Sequence, residues 1–208
     1  MFLLLLGLAD TLRVTPAARP LTFDGQASVA EYGAPTLELV RAAGVVRVWA
    51  RSDSAGVMLA VQLADPTPSW QDDVVLSLDT GGDRAAGPMH DDFQWYFRRV
   101  LDSSVVYRGE GGQWRAPRDD PDWRMGPARD GGGWEVRAAS DSAGWSLEFR
   151  LDRAYFREAR DGRVPGLALR VFDDDPQGWL AWPAAPGLKQ PTEVEQRPAL
   201  WAPVSFTR

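Results

Sequence analysis

From residue 10 onward the chain is dominated by alternation of apolar and polar positions with period two, the signature of strands with one face buried. In Val57-Met58-Leu59-Ala60-Val61-Gln62-Leu63 every odd position is a branched aliphatic. In Trp145-Ser146-Leu147-Glu148-Phe149-Arg150-Leu151 the odd positions are apolar and the even ones polar or charged. Further runs of this kind are Thr36–Leu39, Val45–Ala50, Val74–Leu78, Phe93–Arg98, Ser104–Tyr107, Trp134–Ala138, Leu167–Phe172 and Ala202–Phe206. Turn chemistry separates them, as in Gly81-Gly82-Asp83, Gly109-Glu110-Gly111-Gly112 and Asp141-Ser142-Ala143-Gly144. Helical periodicity is confined to Asp152–Ala159, where Asp152 can cap and Tyr155, Phe156 and Ala159 share a face. The pattern predicts an all-β protein: an antiparallel β-sandwich of jelly-roll or immunoglobulin-like type with one short crossover helix.

A length of 208 residues suits one such domain, expected over 10–208. Ahead of it, Phe2–Ala9 reads FLLLLGLA, which is too short for a membrane span and matches the apolar core of a signal peptide. Residues 1–9 are therefore expected to be a signal-peptide remnant, with an apolar first strand as the alternative. Export to a secreted, periplasmic or cell-envelope location follows from the first reading, with no integral membrane span in the mature chain. A net charge of −6 with no basic cluster argues against nucleic acid as a partner.

The chain has no cysteine, which excludes disulfides, thiolate nucleophiles and Cys-ligated metals. Its single histidine, His90, excludes multi-histidine metal sites. Nucleophile-elbow, phosphate-loop and zinc-helix motifs are absent. Paired carboxylates could hydrolyse a glycoside, but that needs an acid and a partner held across a cleft, which adjacency in sequence does not supply. A binding protein is thus favoured over an enzyme.

Five segments in order resemble the family 9 carbohydrate-binding modules and the wider group of extracellular sugar- and haem-binding sandwiches. They are Leu21-Thr22-Phe23-Asp24-Gly25, the run Val57–Pro66, the run Trp70–Asp79 with its paired aspartates, the strand Trp145–Leu151, and the run Leu167–Asp175 ending in an acidic turn. The chain departs from the family in carrying aliphatic Val75 and Leu76 where a glutamate usually follows the paired aspartates. The entry tryptophan of the first segment is replaced around Tyr32. The resemblance implies a sandwich fold and non-catalytic saccharide binding, with a sugar end held between two tryptophans. Trp70 matches the first of these, and Trp179 or Trp182 the second. It also places Gln94 and Arg98 in the strand of polar sugar contacts and implies a catalytic or transport partner of a kind the sequence leaves unnamed.

Ten tryptophans make the aromatic surplus needed for stacking on sugar C–H faces. Trp145 alternates in phase with core aliphatics, Trp49 lies in a strand rich in valine and Trp134 opens one, so these three are expected to be buried. Trp70, Trp114, Trp123, Trp179 and Trp182 sit in loops or at strand ends, and Trp70, Trp123, Trp179 and Trp182 are candidate ligand-binding residues together with Asp72, Asp73, Gln94 and Arg98. Within a strand, Asp72 and Asp73 point to opposite faces. Crowded carboxylates at Asp79, Asp83, Asp91 and Asp92 suggest a structural Ca²⁺, although no EF-hand spacing occurs. The resemblance to the haem-binding sandwiches implies the alternative of a b-type haem electron-transfer domain, which would need His90 with Met58 or Met125, since adjacent Met89 and His90 cannot reach opposite axial positions. A glycoside-hydrolase-associated accessory domain is the other alternative.

Overall fold

The computed structural model describes residues 11–41, 44–116, 125–126, 133–156, 162–174, 177–184, 190 and 192–207. Residues 1–9 and Trp123, both named above, lie outside the described residues. Fourteen strands run through the described residues: β1 (Leu12–Pro16), β2 (Leu37–Arg41), β3 (Gly44–Ser52), β4 (Val57–Leu63), β5 (Asp73–Asp79), β6 (Asp92–Arg98), β7 (Ser103–Glu110), β8 (Gln113–Arg115), β9 (Met125–Gly126), β10 (Trp134–Ser140), β11 (Trp145–Leu151), β12 (Gly166–Asp174), β13 (Gln177–Trp182) and β14 (Ala202–Phe206). Two helical turns, α1 (Val29–Tyr32) and α2 (Thr192–Glu195), lie outside the sheet.

The strands form one curled sheet in the order β10-β11-β4-β3-β1-β14-β12-β5-β6-β7-β8, with β2 on β3, β13 on β12 and β9 on β7. Its two leaves face each other across a common core. Phe97 of β6 stacks toward Trp145 of β11 at 6.4 Å, and the inner faces of β4, β11, β5 and β12 contribute Leu59, Val61, Phe149, Leu76 and Leu169 to one cluster. All ten alternating segments form strands, so the all-β expectation holds. The purely antiparallel arrangement needs correction: β1 runs parallel to both β14 and β3, and joins the leaves. The cause is its connection, because β1 reaches β3 through a crossover carrying α1 and β2, not through a hairpin. The expected crossover helix also differs. Its described part is a 3₁₀ turn, Arg153–Phe156, in which the Asp152 carboxylate accepts from Ala154 N at 2.7 Å; residues 157–159 lie outside the described residues.

Several strands are buried on both faces, because loops fold back over the outside of the sheet. The outer face of β3 and β4 is covered by the segment 21–32, where Phe23, Ala27 and Tyr32 pack on Trp49, Met58 and Ala60. Met58, out of phase with the inner core, is thus buried in a second cluster. The covering segment is bolted down by β11. Glu148, wholly buried on the outer face, accepts hydrogen bonds from Asp24 N (2.9 Å), Gly25 N (2.7 Å) and the Tyr32 hydroxyl (2.5 Å). Ser146 Oγ accepts from Ala27 N and donates to Gly25 O. Burial pushes the Glu148 carboxyl above its usual range, and the Tyr32 and Gly25 donors oppose that shift. Tyr32 thus supplies a donor that an aliphatic residue would lack.

Gly25 is required here on two counts. Its φ is +88°, and a Cβ would stand 2.5 Å from the backbone carbon of Ala138 on β10. Replacing it must lift the segment off β10 and β11 together. Gly25→Ala is expected to lower stability by about 2–4 kcal/mol in equilibrium urea unfolding. A loss below about 0.5 kcal/mol would mean that the segment is not clamped in this way.

Candidate functional site

Strand alternation and register lay out one face of the second leaf as a grid. With Val74, Leu76 and Leu78 committed to the core, Asp73, Val75 and Ser77 of β5 must point outward. The same reasoning turns Gln94, Tyr96 and Arg98 of β6 outward, along with Ala168, Arg170 and Phe172 of β12. Cross-strand pairing then aligns Trp179, Phe172, Asp73 and Arg98 in one row. The row beside it is Ala181, Arg170, Val75 and Tyr96, and the next holds Ala168, Ser77 and Gln94.

Charges on this face are linked in a continuous chain. Arg98 Nη2 donates to the Tyr96 hydroxyl at 2.7 Å, which in turn donates to Asp73 Oδ2 at 2.7 Å. Asp73 Oδ1 accepts from Arg170 Nη1 at 3.0 Å. Arg170 Nε donates to Glu195, which reaches in from α2, and Glu195 Oε2 and Ser77 Oγ both lie 3.4 Å from Gln94 Nε2. Burial raises the Asp73 carboxyl pKa, with Arg170 and Tyr96 opposing, and lowers that of Arg170. The hydrogen bond to Tyr96 raises that of Arg98. A buried guanidinium between two carboxylates is a rigid element, since losing either partner leaves an uncompensated charge in low dielectric.

Above this chain stand two exposed indoles, each backed by a guanidinium. Trp70, in the turn before β5, is 58% exposed and has the Arg98 guanidinium 5.5 Å from its ring centroid. Trp179 of β13 is 40% exposed, with the Arg170 guanidinium at 4.4 Å and the Phe172 ring at 4.0 Å. The Arg98 guanidinium also lies 5.4 Å from the Tyr96 ring, and its buried Nε has no hydrogen-bond partner. The face therefore carries two exposed indoles and, beside Trp70, a guanidinium with an unpartnered buried Nε.

Of the residues singled out in the sequence, Trp70, Asp73, Gln94, Arg98 and Trp179 share this face. Two others do not. Trp182 is 7% exposed and packs in the core, because its register partner Leu169 faces inward; it cannot serve as a platform. Asp72 is wholly buried and points to the inner side, where its carboxylate accepts from Ser69 N at 2.9 Å and Arg99 Nη1 at 3.1 Å. Sequence reasoning missed Tyr96, Arg170 and Glu195. Tyr96 lies in phase between Gln94 and Arg98, and Arg170 is a charge flanked by apolar residues within its strand, so both left a signal. Glu195 left none, since α2 reaches the face from a distant part of the chain.

Of the four acidic residues suggested for a cation, three converge at the other end of β5 and β6, and Asp92 is the cross-strand partner of Asp79 there. Carboxylate oxygens of Asp79, Asp83 and Asp91 lie within 4.8 Å of one another. Asp79 accepts from Gly82 N (2.5 Å) and Arg84 N (3.1 Å). Asp92 is wholly buried, accepts from Met89 N through Oδ2 (2.7 Å), and has no partner at Oδ1. Burial, followed by the charges of Asp79, Asp91 and Asp83, pushes the Asp92 carboxyl up to about 8. Gly81 leaves room for this approach, since a Cβ there would meet Asp91 Oδ2 at 1.9 Å. An unpartnered buried oxygen beside crowded carboxylates is a donor set suited to a hard cation. His90 is exposed on the loop before β6, whereas Met58 is sealed under the segment 21–32 on the other leaf; the Met125 side chain lies outside those described.

No family model matches the chain, and no curated protein is significantly similar to it. Among solved structures it is similar to a family 9 carbohydrate-binding module from Caldicellulosiruptor kristjanssonii in complex with cellotriose. The TM-score is 0.60 at 15% identity, over 94% of this chain and 93% of that one. A structure of a family 9 module from the same organism in complex with glucose gives a TM-score of 0.61 at 14% identity, over 94% of this chain and 95% of that one. The curled sheet described above therefore has the fold of the family 9 carbohydrate-binding modules.

Proposed function

We propose that this chain binds a saccharide non-covalently on the outer face of β5, β6, β12 and β13, outside the cytoplasm. The observation that carries the reading is the pair of exposed indoles, Trp70 and Trp179, each held by a guanidinium on a face otherwise locked by hydrogen bonds. Sugars present flat C–H faces that stack on such rings, while their hydroxyls need fixed polar partners. In this reading Arg98 supplies the donors nearest Trp70. Tyr96 and Asp73 orient Arg98, and Arg170 and Glu195 hold Asp73 and Gln94 in place. Asp72 and Trp182 act from below, through packing. The fold shared with modules solved with cellotriose and with glucose supports the ligand class. For location, no helix among the described residues is long and apolar enough to cross a membrane. Export rests on the sequence of residues 1–9.

Titration with glucose, cellotriose and a wider saccharide panel, followed by tryptophan fluorescence and calorimetry, tests the site. Trp70→Ala and Trp179→Ala are each expected to weaken binding about tenfold or more. Trp70→Ala is the cleaner variant, because that ring is the more exposed. Silence across the panel from a folded wild-type protein would overturn the reading.

Asp79, Asp83, Asp91 and Asp92 are proposed to hold a structural Ca²⁺, which would supply the positive charge that these carboxylates lack. A carboxyl with a higher pKa folded than unfolded carries more proton in the folded state. Its stabilising contribution is full below the unfolded value and is lost as pH rises through the folded one. For Asp92 that window runs from 3.8 to about 8. Chelated protein is expected to melt at progressively lower temperature across this range, with Asp92→Asn flattening the slope. Added Ca²⁺ at pH 8 should raise Tm by about 5 °C or more. An unchanged Tm would sink the cation site.

A further inference from the structure

The inner-face alternation does not end on apolar residues at the tryptophan-bearing end of the core. One position beyond Leu63 in phase comes Asp65, one before Val74 comes Asp72, one beyond Phe97 comes Arg99, and one beyond Val171 comes Asp173. All four are buried, and carboxylate oxygens of the three aspartates lie within 4.8 Å of one another. The core is thus closed at this end by a charged layer around one guanidinium. Arg99 Nη1 donates to Asp65 Oδ2 at 2.8 Å and Asp72 Oδ2 at 3.1 Å, and lies 3.3 Å from the carbonyls of Asp65 and Thr67. Its backbone N–H donates to Asp72 O at 3.0 Å, and its guanidinium stands 5.3 Å over the ring of Trp145 on the opposite leaf.

We propose that Arg99 is a positioning residue for the aromatic face: by drawing Asp65, Thr67 and Asp72 around one side chain, it sets where Trp70 stands relative to the hairpin that carries Trp179. The turn bearing Trp70 runs from residue 65 to residue 72, and Arg99 grips both its ends. Within it, Asp72 Oδ2 also accepts from Ser69 N, the residue before Trp70. The other platform is tied to the same layer, because Asp173 pairs with Gly178, the residue before Trp179. Neighbouring Arg98 contacts Trp70 from outside, while Arg99 holds its turn from inside. Consecutive residues at the end of β6 therefore act on the two sides of the leaf. The side-chain hydrogen bonds of Arg99 all pass through Nη1, while its buried Nε and Nη2 have no hydrogen-bond partner; a lysine would keep the charge but lose the planar group that lies over Trp145.

The inference rests on the saccharide reading for its functional consequence, and on geometry alone for its structural one, so two measurements separate them. The variants are Arg99→Lys and Asp72→Asn in the full chain, with Arg99→Met as the harsher change if it folds. The first measurement, without ligand, is amide hydrogen exchange by mass spectrometry. Exchange in residues 65–72 is expected to speed up about tenfold or more, while β3 and β4 are unaffected. The second is affinity for cellotriose well below each variant's Tm, expected to fall about tenfold. Unchanged exchange in 65–72 overturns the positioning role whether or not sugar binds. Faster exchange with undiminished affinity also overturns it, leaving Arg99 a structural residue. Should wild type bind no saccharide, the function fails on its own, and the exchange result still decides whether Arg99 holds the turn.

Discussion

Contact between the inner faces of the two leaves is the constraint from which the rest follows. Once Val74, Leu76 and Leu78 are committed to face Leu59, Val61 and Phe149, the two-residue period of a strand leaves no freedom for the residues between them. Asp73, Tyr96, Arg98 and Arg170 must then stand on the outer side, and cross-strand register brings them side by side. The aromatic face is a by-product of core packing that its residue types have turned into a surface rich in stacking and hydrogen-bonding groups.

Burial on both sides of the central strands creates a second demand. Polar groups on the outer faces are removed from water by the segment 21–32 and by the region of α2, and each must find partners there. Glu148 does so with three donors from the covering segment, and Arg170 does so with Asp73 and Glu195. Such groups add little net stability compared with apolar residues of the same shape, but losing one partner is costly. They therefore act as register pins. The covering segments can seat in one place alone.

Electrostatics divides the second leaf into two ends. Near Trp70 and Trp179, arginines compensate the buried carboxylates, through Arg170 on the outer face and Arg99 inside. Around Asp79 and Asp92 the carboxylates crowd together, and the pKa of Asp92 climbs as a result. The same strands thus carry carboxylates paired with arginines at one end and carboxylates crowded against one another at the other.

Period-two alternation by itself determined the strand segments, the all-β class and the inward set of Trp134 and Trp145, because these depend on local patterning that a buried face imposes directly; Trp49 is buried on the outer face, by the segment 21–32. The resemblance to a known family, and not the alternation, brought Trp70, Gln94 and Arg98 into view as candidates. Tertiary structure alone decided between Trp179 and Trp182: both lie on β13, and their register against Phe172 and Leu169 sends one to solvent and the other to the core. It likewise decided that Asp72 and Arg99 face inward, that β1 lies parallel between the leaves, and that Glu195 meets Arg170. Those outcomes hang on pairings between segments far apart in the chain, and a local period carries no information about which distant strand will lie alongside.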